Sequence, residues 1–145
     1  METYVERRKL LFQALKNQDY QTAKVILPKT DSDFVRFVDS FIAENGLVRQ
    51  NILLKADIAQ SYGYKILTGQ KHTNNRNLIL RLLIAMKMDL DHIQKGLALY
   101  GMNILCDSGR DEIIITGIIY QQTIDEIDEW LISLDLERLM ESYDT

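Results

Sequence analysis

The chain has 145 residues, 46% hydrophobic and 26% charged, with a formal net charge of −4. This is ordinary globular composition, long enough for one domain with its own core and no metal or disulfide support. The single cysteine, Cys106, excludes an internal disulfide, and no apolar run reaches the roughly 18 residues a membrane-spanning helix needs.

Residues 1–8 carry no apolar signal core, so a cytoplasmic protein without a membrane partner is expected. Glycine is sparse and Pro28 is the sole proline, so helical periodicity dominates. Residues 3–17 read as a helix with Val5, Leu11, Phe12 and Leu15 on its apolar face. A shorter helix over 18–27 ends at Pro28, which biases its predecessor away from helix. Asp31, Ser32 and Asp33 offer N-caps for a helix bearing Phe34, Phe37, Val38, Phe41 and Ile42, which stops at Asn45 and Gly46. Two short helices follow, 48–55 with Ile52 inward and 60–67 with Tyr62 and Ile66 inward, joined by a turn at 56–59. Gly69 closes the second. After a polar stretch, 77–86 is strongly helical through Leu78, Ile79, Leu82, Leu83 and Met86. Asp89 or Asp91 caps the next helix, with Ile93, Leu97 and Tyr100 inward, ending at Gly101. Residues 113–120 are β-branched and compatible with a strand. The helix reading is preferred because Ser108 with Asp111 resembles a start signal and no partner strand is evident. Thr123 with Glu126 forms a capping box for a last helix with Ile127, Trp130, Leu131 and Leu134 on one side. The expectation is an all-α protein of seven to nine helices.

Charge is unevenly spread. Between Gly46 and Lys87 the charged residues are Arg49, Lys55, Lys65, Lys71, Arg76, Arg81 and Lys87, against Asp57 alone. From Cys106 onward, only Arg110 and Arg138 face a long series of acids. A basic middle and an acidic tail govern encounter with a polyanion more than the net charge does.

The segment 46–73 resembles the helix-turn-helix of lambda-repressor/Cro-like (XRE-type) regulators, best over 57–71. It has apolar Ile58 before the second short helix, then polar residues and Tyr62 or Tyr64, a late Ile66, and Gly69 followed by Lys71. The helices at 77–86 and 90–100 match the family's succeeding helices, so the resemblance covers about half the chain. It implies a lambda-repressor-like five-helix DNA-binding domain over 31–103, with an N-terminal helical extension at 1–30 and an acidic C-terminal helical segment at 104–145. It also implies a sequence-specific transcriptional regulator whose helix 60–67 enters the major groove. The implied DNA-facing residues are Arg49, Gln60, Ser61, Tyr64, Lys65, Gln70 and Lys71. Gln60 suits adenine, Lys65 guanine or phosphate, and Arg49 a phosphate at the start of its helix. His72 would lie along the backbone with Gln70 and Lys71, and Arg76 is a further candidate.

The chain departs from the family in three places. Asp57 stands where glycine is usual, and aspartate tolerates the left-handed conformation better than most residues. Leu53 stands where a small residue is preferred, and Gly63 where a branched apolar one is. The two are expected to compensate, Leu53 filling the space Gly63 vacates.

Regulators of this kind bind paired half-sites as twofold dimers, so a homodimer on double-stranded DNA is expected. Ile118, Ile119, Ile127, Trp130 and Leu131 form the candidate dimer surface, with intramolecular core as the alternative. The other reading is a protein-interaction module that keeps the helix-turn-helix as scaffold and binds a partner through the acidic C-terminal helices. No catalytic residue, metal site or cofactor is expected. His72 and His92 lack ligand spacing, Cys106 has only Arg110 nearby to activate it, and neither 63–65 nor 69–71 has the pattern of a phosphate loop.

Overall fold

A computed structural model of the chain describes residues 4–26 and 30–141. Among these the regular structure is entirely helical: α1 (Tyr4–Lys16), α2 (Tyr20–Ile26), α3 (Thr30–Asn45), α4 (Arg49–Ala56), α5 (Gln60–Leu67), α6 (Arg76–Ala85), α7 (Leu90–Leu99), α8 (Gly109–Ile119) and α9 (Ile124–Ser133). No described helix is long and apolar enough to cross a membrane.

The organising element is α6. Every residue from Leu78 to Ala85 is buried, so this helix is wrapped by neighbours rather than laid on a surface. It packs against α4, α7 and α9, α3 packs on α7, and α8 pairs with α9. One continuous apolar core results, running from Phe34 to Leu139. Residues 113–120 are helical except for Tyr120, which closes α8. Their isoleucines are helical because Ile114, Ile115 and Ile118 bury one face together with Gly117. A Cβ on Gly117 would stand 2.6 Å from Ile127 Cδ1, so the glycine sets how closely α8 and α9 approach.

Helix starts follow local chemistry. The Asn75 side chain accepts from the Leu78 N–H, Asp89 from His92, and Thr123 from Glu126, capping α6, α7 and α9. Ser108 precedes α8 but gives no side-chain cap bond. The expected caps at Asp31 to Asp33 are corrected. The helix already begins at Thr30, so Asp33 stands inside its first turn, where the macrodipole favours acids. Pro28, the expected stop for the second helix, lies outside the described residues, as does the Val5 side chain.

α1 and α2 pack on each other, with Ala14 and Ala23 buried between them. The expected apolar face of α1 is corrected here: Phe12 and Leu15 are exposed, and Leu11 is half-buried.

Candidate nucleic-acid interface

The α4–turn–α5 unit is held by its backbone and by one complementary pair. Asp57 takes the left-handed conformation, φ 56° and ψ 49°. Its N–H donates to the Leu54 carbonyl at 3.2 Å and that of Ile58 to Leu53 at 3.0 Å. These bonds satisfy the carbonyls that the end of α4 would otherwise leave open. Ile58 is buried, which drives the chain back to the core before α5 begins. Where the two helices meet, a Cβ on Gly63 would overlap Leu53, standing 2.8 Å from its Cδ1. The expected compensation between Leu53 and Gly63 is therefore present as a direct contact.

α5 buries Gly63, Ile66 and Leu67. Ser61, Tyr64 and Lys65 stand exposed on its other side. Gln60 is half-buried, its Nε2 donating to the Gln50 carbonyl at 3.2 Å. The Thr68 hydroxyl donates to the Tyr64 carbonyl at 2.8 Å and holds the last turn. Beyond Gly69 (φ 79°) the Lys71 N–H donates back to the Lys65 carbonyl at 3.1 Å. Gln70 and Lys71 are thus carried against the end of α5 with exposed side chains. The His72 ring lies flat on Tyr100, centroids 4.5 Å apart, and the Tyr100 hydroxyl accepts from the Thr73 N–H at 2.8 Å. The α7 end therefore anchors the loop after α5.

Three arginines of the basic segment are engaged elsewhere. Arg49, expected on a phosphate, pairs with Asp39 of α3 at 2.6 Å, which neutralises its charge locally. Arg76 makes a two-pronged pair with Asp111 at 3.0 and 2.9 Å and also donates to the Asn103 and Ile104 carbonyls. Burial raises the Asp111 pKa, but hydrogen bonds from Arg76 and the Cys106 N–H, with the charges of Arg76 and Arg110, outweigh it and leave the carboxyl below its ordinary value. Arg81 is buried. The outward charge of the segment falls instead to Lys55, Lys65, Lys71 and Lys87, all exposed. Neither Val48 before α4 nor Ala59 before α5 supplies a side-chain cap.

Sequence reasoning passed over Arg81 and Asp128, the buried charged residues of the described chain. The visible signal was an arginine inside an otherwise apolar helix.

The proposed C-terminal ridge divides. Ile118, Ile127 and Leu131 are buried in the molecule's own core, whereas Ile119 and Trp130 are exposed. The first three are thereby corrected from dimer surface to intramolecular packing. Asp89 Oδ1 accepts from His92 Nδ1 at 2.7 Å, and the His92 ring contacts those of Phe37 and Phe41. No group of His, Cys, Asp or Glu among the described residues is arranged to hold a metal ion.

No family model, curated protein or solved structure matches the chain.

Proposed function

We propose that the protein is a cytoplasmic, sequence-specific DNA-binding regulator of the lambda-repressor/Cro type, with α5 as the element that enters the major groove. The observation that carries this reading is the outward side of α5. Ser61, Tyr64 and Lys65 are exposed there, on a stretch with no acidic residue between Ile58 and Met88. An acid-free helix face bearing a lysine, a phenol and a hydroxyl has the donors that base edges and phosphates accept. The bond from Gln60 to the Gln50 carbonyl steadies an amide at the start of α5, where this class of helix reads bases. Lys71, just past the helix, is placed to neutralise a phosphate. A homodimer would present two such helices to paired half-sites.

Fluorescence anisotropy with a random duplex at two salt concentrations tests the proposal. Binding should weaken steeply as salt rises, because phosphate contacts release counterions. Lys65→Ala should cost about 1–3 kcal/mol and relax sequence preference, while Lys71→Ala should lower affinity evenly and reduce the salt slope by about one. Salt-independent binding, or none, would overturn the reading.

A second reading, a protein-interaction module, draws on the apolar side chains exposed at the ends of α8 and α9. Ile119, Tyr120, Trp130, Ile132 and Leu134 are exposed among Asp125, Glu126 and Glu129. On that reading the same anisotropy experiment shows no duplex binding.

A further inference from the structure

The stretch 136–141 follows α9 without regular helix, yet Leu139 within it is fully buried. Side chains from three helices hold its backbone. Arg110 of α8 donates to the Glu137 carbonyl at 2.5 Å and lies 3.4 Å from that of Arg138. Its guanidinium is itself held by Asn77 Oδ1 at 2.7 Å. Arg81 of α6 donates through Nη1 to the Leu139 carbonyl at 2.8 Å. From the other side, Asp128 of α9 accepts the Leu139 N–H at 2.5 Å and the Met140 N–H at 3.0 Å.

The Leu139 carbonyl and the Met140 N–H belong to one peptide unit. Arg81 and Asp128 therefore meet through that unit, the cation at its oxygen and the anion at its N–H. The peptide dipole is aligned between them, so each bond strengthens the other. Two buried charges are compensated through a piece of backbone that either strap or core can withdraw.

Arg81 reaches further. Its Nε donates to the Ala56 carbonyl at 2.8 Å. Ala56 is the last residue of α4, immediately before left-handed Asp57. One guanidinium thus bonds both the strap and the carbonyl from which the α4–α5 turn departs.

We propose that the 136–141 strap is a latch on the α4–turn–α5 unit, acting through Arg81. When the strap is seated, Arg81 is fixed and the turn is fixed with it. When the strap leaves, the guanidinium loses its second carbonyl and the peptide that links it to Asp128, and the turn loosens before the rest of the core does. Arg81 is a positioning residue on this account.

Native-state hydrogen exchange over a low-denaturant series tests the latch, with no DNA present, so its failure is distinct from failure of the DNA reading. In the wild-type protein the amides of Ile58, Leu139 and Met140 should open together, below the free energy of global unfolding. Separate openings, or opening only with the whole molecule, would overturn the proposal. Asp128→Asn keeps the shape, removes the charge and replaces one of the two acceptors of the Leu139 and Met140 N–H groups by a donor. It should speed exchange by about tenfold at Ile58 as well as at Leu139 and Met140, leaving Ile93 and Tyr100 of the α7 region unchanged. Acceleration confined to the strap, or equal acceleration everywhere, would equally refute it. If that variant does not fold, the wild-type series decides.

Discussion

Which cations face outward is decided by side-chain chemistry. The arginines of the basic segment are engaged by the molecule's own groups, Arg49 on Asp39 at the surface, Arg76 on Asp111 and Arg81 on two carbonyls. A guanidinium's planar fork of donors suits such multi-point bonding, whereas a lysine is a hydrated point charge better left at the surface. Charge counting along the chain treated the two alike and so overstated the outward field. Asp111 yields a pH prediction. Its folded pKa lies below the ordinary carboxylate value, so its contribution is present above the unfolded pKa and is lost as pH falls through the folded one. Wild-type melting temperature should exceed that of Asp111→Asn near neutrality, and the gap should close on acidification below the ordinary carboxylate range. A gap that persists in acid would assign the effect to packing. The Leu53–Gly63 contact gives another prediction. Gly63→Val alone should cost about 1–3 kcal/mol through overpacking, and Leu53→Ala alone about 2–5 kcal/mol through the cavity. Urea denaturation of the double variant should recover part of both losses, and simple additivity would show that the two side chains do not share one space.

Among the helices, starts and stops were legible wherever a side chain or glycine acts locally. Asp89 and Thr123 announce their helices because their oxygens accept a backbone N–H three residues on. Asp57 could be read as a turn because aspartate tolerates positive φ. The start of α3 was misplaced because three consecutive capping residues can equally serve a first turn, and only the fold chooses. The isoleucine-rich α8 was ambiguous because β-branching favours strands until a partner helix claims one face. The strap was missed altogether, because its bonds join positions far apart through backbone atoms that every residue carries. Of the candidate site, the exposure of Ser61, Tyr64, Lys65, Gln70 and Lys71 agrees with the outward positions that the helix-turn-helix resemblance implied, whereas the pairing of Arg49 depends on α3 and α4 meeting. The caps can be checked directly. Asn75→Ala, Asp89→Ala and Thr123→Ala should each cost about 1 kcal/mol, and Ser108→Ala less, since its hydroxyl makes no cap bond. Chemical denaturation of the four variants measures this, and an equal cost at Ser108 would contradict the assigned geometry.

For the molecule as a whole, the core includes no residue of α1 or α2 among those described and yet extends to Leu139. The two ends should therefore behave differently on shortening. Starting the chain at Thr30 should leave unfolding cooperative and shift Tm by less than roughly 4 °C. Stopping it after Asp135 leaves Arg81 and Asp128 without their bridging peptide and should cost about 3–5 kcal/mol. Calorimetry on both shortened chains tests the contrast, and equal losses would contradict it. The bridge also imposes an order on synthesis. Leu139 is polymerised 58 positions after Arg81, a wait of roughly 3–12 s at ordinary ribosomal speeds. Throughout that interval the nascent helices hold a guanidinium whose second acceptor has not yet been made. Maturation of the α4–α5 region therefore finishes only after the ribosome has moved well past it, and a stalled translation product would carry a complete but unlatched copy.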